Sequence, residues 1–198
     1  MPGTSLKAQQ SERTKSALVA AGRSLFGARG YAGVSAEEVA AAANVTTGAV
    51  YHQFANKRGL FVGVFEAVEA DVTAQVVAAA GAESDPWRGF QAACRAFLEA
   101  SAQTEVRQIL LIDGRSVLGW DEWQGIMARY GLGMTRAAVE GLVAAGLIVN
   151  APVEGLTVLL FGALCEAAVF VANAPDPEAT LSDTLAALTK LLESLRTA

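Results

Sequence analysis

Residues 34–61 read VSAEEVAAAANVTTGAVYHQFANKRGLF, and this stretch decides the fold. Ser35 is a favourable N-cap and Glu38 stands three residues later, which is the capping-box pattern that starts a helix. Asn44 can supply the left-handed residue that ends this helix, and Thr46 is a plausible N-cap for the next one. The stretch therefore predicts two short helices joined by a tight turn.

A longer amphipathic helix is expected before this pair. Residues 12–29 place Leu18, Leu25 and Phe26 on one stripe, and Gly30 stands where a helix C-cap is common. Two short helices that lie on a longer one form a helix-turn-helix unit. The first sixty residues therefore predict a small three-helix domain.

The second short helix, expected to run from about residue 47 to 54, has two different faces. At about 100° per residue, Val50 and Phe54 point inward. The small residues Gly48 and Ala49 point outward together with His52. An outward face of small, polar and aromatic residues is suited to insertion into a groove.

The remainder of the chain predicts an all-α protein. Ala, Leu and Glu recur in helical spacing and alternating β-branched runs are missing. Proline is expected at the first helical position of three later helices, at Pro86, Pro152 and Pro177. About nine helices are expected: three in a helix-turn-helix domain of residues 1–56, and the others in a second helical domain of residues 57–198.

Two later segments add detail to this second domain. A helix over 121–145 is expected to bend near Gly131 and Gly133. Residues 156–174 are apolar on nearly every side and long enough to invite a transmembrane interpretation. Glu166 in the middle, and the lack of flanking cations or an aromatic belt, favour a helix buried from several directions.

Charge is distributed unevenly along the 198 residues. The net charge is −5, but residues 1–60 hold seven Lys or Arg against three Glu, a charge of +4, which leaves −9 for the remainder. A basic end on an acidic body indicates that the N-terminal part meets an anion. A chance distribution of surface charge is the alternative.

The composition excludes several kinds of site. His52 is the single histidine, and Cys94 and Cys165 are the only cysteines, 71 positions apart, so we expect no His/Cys zinc site and no disulfide framework, while carboxylate sites remain open and no metal ligand is assigned. No Gly-rich phosphate loop occurs, and a histidine on an exposed helix leaves no Ser/His/Asp or Cys/His arrangement. We therefore expect no catalytic residue and no cofactor. The first fifteen residues lack the apolar core of a signal peptide, so a cytoplasmic location is expected.

The stretch from Val34 to Phe61 resembles the DNA-binding domain of the tetracycline-repressor (TetR) family, and the resemblance covers residues 12–65. The segments LLIDGRSVLGWDEWQGIMARYGLG and FGALCEAAVFVANAPDPEATL are similar to the C-terminal regulatory domain of one branch of that family. The resemblance implies a cytoplasmic homodimer that binds a near-palindromic double-stranded DNA operator. It also implies release from DNA when a small molecule occupies the C-terminal domain.

The resemblance also assigns the DNA contacts. The predicted DNA-binding residues are Ser35, Thr46, Thr47, Gly48, Ala49, Tyr51, His52, Gln53 and Lys57. Family members often have His where this chain has Gln53, and glutamine can pair with adenine, so the preferred base is expected to differ. Glu37 stands where relatives often place a basic or amide side chain and is expected to repel phosphate.

For the second domain we expect a largely apolar effector site between helices, because aromatic, Met and Cys side chains accompany a few polar ones. Its predicted residues are Phe65, Phe90, Cys94, Phe97, Asp113, Trp123, Met127, Tyr130 and Cys165. Any one of these side chains can instead belong to an ordinary core.

The last two predicted helices are the expected dimer face, because small residues and a Leu repeat favour close helix packing. The predicted dimerisation residues are Phe161, Leu164, Ala167, Ala168, Leu185, Leu188 and Leu192. The alternative is that both helices complete a monomeric core. For the whole chain, the alternative function is a helical small-molecule carrier, or a helical enzyme, without DNA binding.

Overall fold

The computed structural model describes residues 6–148 and 152–197, and these residues are predominantly helical. The first helices are α1 Leu6–Arg29, α2 Ala36–Ala42, α3 Thr47–Phe54, α4 Lys57–Gly81 and α5 Pro86–Ser101. They are followed by α6 Thr104–Val106, a π-helical stretch Arg107–Asp113, α7 Gly114–Leu118, α8 Trp120–Arg129, α9 Gly131–Ala144, α10 Val153–Ala172 and α11 Pro177–Glu193. The described ranges contain no strand, only an isolated antiparallel bridge between Ile148 and Arg196. The all-α prediction is confirmed.

The chain forms two compact units. The first unit comprises Met1–Val68 and Thr104–Trp120, and the second unit comprises Glu69–Gln103 and Asp121–Ala198. The sequence analysis divides the chain at a single point, between residues 56 and 57. The structure instead brings a segment from the middle of the chain into the first unit.

The start of α2 is built as the sequence predicts. The Glu38 amide donates a hydrogen bond to Ser35 Oγ at 3.2 Å, and the Ser35 amide donates to Glu38 Oε2 at 2.7 Å. Asn44 has a φ of 54°, the left-handed conformation expected at the turn. Thr46 occupies the N-cap of α3, although its side chain makes no capping hydrogen bond. Both short helices therefore begin at the predicted places, whereas α1 begins at Leu6, six residues earlier than expected.

An aromatic cluster forms the core of the first unit. The Phe61 ring lies 5.5 Å from the Phe26 ring and 5.2 Å from the Tyr31 ring, centroid to centroid. Phe65 is completely buried, and a Cβ on Gly114 would lie 2.5 Å from its ring. Phe65, which the sequence analysis expects at the effector site, packs with its ring on the backbone of α7 inside the first unit.

Polar contacts hold the 104–118 segment, which runs from α6 to α7, in the first unit. Arg23 forms an ion pair with Glu105. The Tyr31 amide donates to Asp113 Oδ2 at 2.8 Å. Asp113 was also expected at the effector site, but its carboxylate serves as a structural acceptor for the turn after α1. The segment therefore belongs to the first unit through both apolar and polar contacts.

The second unit contains the remaining helices. α10 packs against α5, α9 and α11. It is long and apolar enough to cross a membrane by length and composition, with a mean hydropathy of 2.1, and a third of that window is buried in this fold. The predicted bend near Gly131 corresponds to a break at Tyr130 that separates α8 from α9.

Three prolines mark the helix starts of the second unit, as the sequence analysis expects, with one difference in position. Pro86 and Pro177 lie in the first turns of α5 and α11, behind the N-caps Asp85 and Asp176, whose carboxylates accept backbone hydrogen bonds. Pro152 is itself the N-cap of α10, so that helix begins one residue later than expected.

Glu69 on α4 provides a test of the second unit's pH dependence. Its side chain is 7% exposed, and burial raises the pKa of its carboxyl to about 7. Because the folded state retains the proton to a higher pH than the unfolded state does, the free energy of unfolding should fall as the pH rises from about 4.5 to about 7. The Glu69→Gln variant should be more stable than the parent at about pH 8, by up to about 3 kcal/mol.

Chemical denaturation at a series of pH values measures this effect. Glu140→Gln, at an exposed position on α9, is the matched control and should follow the parent curve. A Glu69→Gln curve with the parent's slope would contradict the prediction.

Candidate functional site

The outward face of α3 has the predicted composition. Val50 is fully buried, whereas Gly48 and His52 are exposed and the Tyr51 side chain is 50% exposed. Around Gly48 an added Cβ would meet only Thr46 Oγ1, at 3.8 Å. The predicted inward and outward faces are therefore confirmed for these positions, and the outward face leaves open space in front of the backbone.

The other predicted DNA-binding residues of this region are arranged around that face. Thr46 is exposed, Thr47 and Ala49 are half-buried, and the Ser35 hydroxyl is used as the cap of α2. Tyr51 and Lys57 border an open concavity of about 460 Å³ that residues 32–38 complete. The structure thus brings Tyr51, Lys57 and the start of α2 to one surface.

Two cations follow α3, and the structure gives them different surroundings. Lys57 Nζ lies 4.1 Å from the centroid of the Tyr31 ring, a cation–π geometry. Arg58 Nη2 donates to Leu118 O at 2.7 Å and its Nε donates to Val117 O at 3.1 Å. Arg58 therefore caps the carbonyl end of α7, where a cation is favourable.

Acidic residues lie beside the same concavity. The Ser35 amide and the Arg29 guanidinium, which lies 2.8 Å from Glu38 Oε1, lower the pKa of the Glu38 carboxyl. The negative charge of Glu38 is therefore balanced by Arg29 within the first unit. Glu37 is exposed on the same helix turn. Its carboxylate is therefore accessible, as the expected repulsion of phosphate requires.

Gln53 does not stand free for base recognition. Its Nε2 donates to Ser11 Oγ at 2.9 Å and to Ser11 O at 3.4 Å. The side chain is thereby held against α1. The predicted pairing with adenine requires that these hydrogen bonds be exchanged for bonds to the base.

An apolar cavity of about 50 Å³ lies inside the second unit. Helices α4 and α5 contribute Val76, Phe90, Ala93, Cys94 and Phe97. Helices α9 and α10 contribute Gly131, Met134, Thr135, Ala138, Phe161 and Leu164. Three predicted effector residues, Phe90, Cys94 and Phe97, line the cavity.

The remaining predicted effector residues of this unit do not line it. Met127 is buried, and Trp123, Tyr130 and Cys165 are half-buried elsewhere in the unit. The lining was difficult to predict because much of it consists of Ala, Gly and Thr, which carry no distinctive signal. Gly131 is one example: a Cβ there would lie 2.8 Å from the Phe161 ring.

An open groove of about 640 Å³ adjoins the cavity. The two share Val76, Phe90, Ala93, Met134 and Ala138. The sequence analysis missed this groove for the same reason, since most of its other lining residues are Ala or Gly. Together they form a two-part apolar space in the second unit.

The polar atoms of the cavity are few. Burial raises the pKa of the Cys94 thiol to about 12, so this group is neutral at physiological pH. Thr135 Oγ1 donates its hydrogen bond to Gly131 O at 2.8 Å. The cavity therefore offers no free charge to a ligand.

Four predicted dimerisation residues prove to be core residues of the protomer. Leu164, Ala168, Leu185 and Leu192 are buried within the single chain. Phe161, Ala167 and Leu188 are half-buried. The rotation of each helix about its axis decides which residues are buried: Ala163, beside Leu164, and Leu191, beside Leu192, are exposed.

The exposed apolar side chains of the same two helices are different ones. On α10 they include Val158, Leu159 at 72% exposure and Phe170 at 63% exposure. On α11 the corresponding residue is Leu191. This face of α10 is therefore not covered within the single chain.

The chain matches two families of known proteins. Residues 18–64 match the family of bacterial regulatory proteins called tetR. Residues 87–195 match the tetracyclin repressor-like C-terminal domain. The chain is also 28% identical over 144 residues to the transposon Tn10 TetC protein of Escherichia coli, which covers 69% of this chain and 71% of that protein.

Solved structures resemble the whole fold. A TetR-family transcriptional regulator from Pectobacterium atrosepticum is 34% identical, with a TM-score of 0.82 over 96% of this chain and 97% of that one. AibR, solved in complex with isovaleryl coenzyme A and operator DNA, is 21% identical, with a TM-score of 0.61 over 87% of this chain and 96% of its own.

The C-terminal match alone covers more than half of the 198 residues, and the N-terminal match, residues 18–64, includes α2 and α3. The chain therefore belongs to the TetR family of transcriptional regulators and carries its DNA-binding domain at the N-terminal end.

Proposed function

We propose that the protein is a cytoplasmic, dimeric repressor that binds a near-palindromic operator and leaves it when a small molecule occupies the second unit. The observation that carries the proposal is the face of α3, where exposed Tyr51 and His52 stand beside the small residues Gly48 and Ala49. Small residues let the helix backbone approach base edges, and the longer side chains reach bases or phosphates.

Two copies of α3 would then enter successive major grooves about 34 Å apart, the distance of one DNA turn. Lys57, beside the same surface, supplies a phosphate contact. We assign no phosphate contact to Arg58, because its guanidinium is engaged with carbonyl groups of α7.

The second copy would dock on the exposed face of α10 around Val158, Leu159 and Phe170, which is apolar except for Glu166. Exposed Gly162 and Ala163 lie between them on that helix and would permit close approach. This face replaces the buried residues of the sequence-based prediction.

Release by a small molecule would require a ligand that binds the DNA-incompetent state more tightly. To move the equilibrium from 99:1 to 1:99, the ligand needs about 5.5 kcal/mol of differential affinity. α4 begins in the first unit and ends in the second, so a ligand on its C-terminal half acts on the same helix that carries Lys57. AibR, which has been crystallised with both a ligand and operator DNA, is a precedent for this combination on a similar fold.

The test is selection of a bound sequence from a random DNA pool, followed by a ligand screen for its release in mobility-shift assays. Recovery of a near-palindromic sequence is the expected result. If no DNA is retained at low salt while apolar ligands still bind, the function is that of a helical carrier. Turnover of a bound ligand without DNA binding would instead indicate an enzyme.

Tyr51→Ala should weaken operator binding by about tenfold or more, because the side chain lies on the inserted face of α3. Tyr51→Phe retains the ring and separates its contribution from that of the hydroxyl group. Titrations in mobility-shift assays measure both, and thermal unfolding checks that the exposed position leaves the fold intact. Parent affinity in both variants would remove Tyr51 from the interface.

Lys57→Ala should reduce the slope of log affinity against log salt concentration by about one unit, as loss of one phosphate contact requires. Lys190→Ala, in the last turn of α11, is the matched control and should leave the slope unchanged. Equal slopes for the two variants would exclude the phosphate contact.

Leu159→Glu should dissociate the dimer, since the substitution places a charge in the proposed apolar contact. Sedimentation velocity measures the change, with Ala144→Glu on an exposed position of α9 as the control that remains dimeric. Dimers that persist in Leu159→Glu would locate the interface elsewhere.

A further inference from the structure

The cavity and the groove of the second unit follow one another along one face of α9 and share five lining residues, and we call the two together the apolar track. The cavity, which is itself partly open, forms one end and the more open groove forms the other. On α9, the lining residues begin at Gly131 in the cavity and reach Ala145, next to the helix end, in the groove. At a rise of about 1.5 Å per residue, this track is about 21 Å long.

The residues of α5 also change from cavity lining to groove lining along the helix. Its residue Phe97 lines only the cavity, Ala93 lines both parts, and Pro86 lines only the groove. The order along α5 is therefore opposite to that along α9, as expected for two antiparallel walls of one elongated site.

The walls of the groove allow close approach to the helix backbones. They include Ala80, Gly89, Ala137 and Gly141, which present almost no side chain. The cavity end is instead closed by phenylalanine rings and by Met134, a flexible side chain that adapts to an inserted group. Since the cavity itself measures about 50 Å³, it can accept only the end of a longer ligand.

The track is not suited to a charged ligand. Each described lining residue of the cavity and groove is uncharged, and the Thr135 hydroxyl already donates to Gly131 O. A carboxylate, phosphate or ammonium group placed at the cavity end would lose water and gain no counter-charge from the lining residues, which is unfavourable.

From this geometry we propose that the effector is an uncharged, elongated apolar molecule that lies in the groove with one end in the cavity. The proposal rests on the proposed function and specifies its ligand class. The acidic surface of the second unit takes no part in recognition, because the lining residues of the track carry no acidic group.

Calorimetry on the full chain without DNA tests the ligand class with three probes of equal chain length: 1-decanol, decanoate and decyltrimethylammonium. We expect 1-decanol to bind, and both charged probes to bind about tenfold more weakly or worse, because their head groups stay unpaired. Equal or tighter binding of either charged probe would overturn the proposal.

Ala138 and Ala93 test the position of the ligand, because both line the junction of cavity and groove. Ala138→Leu should weaken 1-decanol binding by about tenfold through filling of the junction, and Ala93→Val is a smaller change to be used if Ala138→Leu does not fold. Ala144→Leu, at an exposed position on the same α9 helix, is the matched control. Equal affinities in all three variants would overturn the site.

A second copy of the chain is the competing occupant of the groove. Val77, an exposed groove residue, distinguishes the two, because Val77→Asp should weaken 1-decanol binding and leave the sedimentation coefficient unchanged. A change of oligomeric state in Val77→Asp would assign the groove to a protein contact and overturn the proposal.

Mobility-shift assays with the selected DNA then separate the ligand class from the regulatory function. Release by 1-decanol and not by decanoate is the expected result. Release by decanoate alone would overturn the ligand class and leave the repressor function intact, and 1-decanol binding without release would overturn its role as effector. If no DNA is bound at all, the proposed function fails, while calorimetry still decides whether the track takes uncharged molecules.

Discussion

The packing of the Phe61 ring against Phe26 and Tyr31 is the contact on which the first unit depends. Centroid distances of 5.5 and 5.2 Å join the end of α1 and the turn after it to the start of α4. A helix as short as α3, with eight residues, has little stability of its own. Because α3 lies in the chain directly before α4, this aromatic contact and the buried Val50 hold it in place and leave Tyr51 and His52 free to face outward.

The same unit recruits a segment from the middle of the chain. Asp113 accepts a hydrogen bond from the Tyr31 amide beside the aromatic cluster, and Arg58 reaches the carbonyl end of α7. Asp113, which the sequence analysis places in an effector site, therefore has a structural role. Arg58, the neighbour of the predicted DNA contact Lys57, has one too. These contacts also explain why Lys57 and Arg58, neighbours in sequence, differ in what they can offer to DNA.

The net charge of the C-terminal part of the chain does not indicate the chemistry of the apolar space in the second unit. Residues beyond 60 carry a formal charge of −9, yet the described lining residues of the cavity and groove are uncharged. Small residues create this space: Gly131 admits the Phe161 ring at its backbone, and the Ala and Gly positions of α5 and α9 keep the groove open. The proposed recognition of an effector in this unit therefore rests on the shape and the uncharged lining of the space rather than on net charge.

The sequence by itself determined the all-α class, the capping box at Ser35, the left-handed Asn44 and the outward face of α3, because caps, turns and helical periodicity are local properties. Only the tertiary structure decided which apolar residues are core and which are surface. Leu164 and Leu159 are equally apolar and five positions apart, yet one is buried in the protomer and the other is exposed. The roles of Asp113, Gln53 and Arg58 were likewise decided by partners 42 to 82 positions away. Periodicity locates a helix and its apolar face, but the partner of each side chain depends on how distant segments pack.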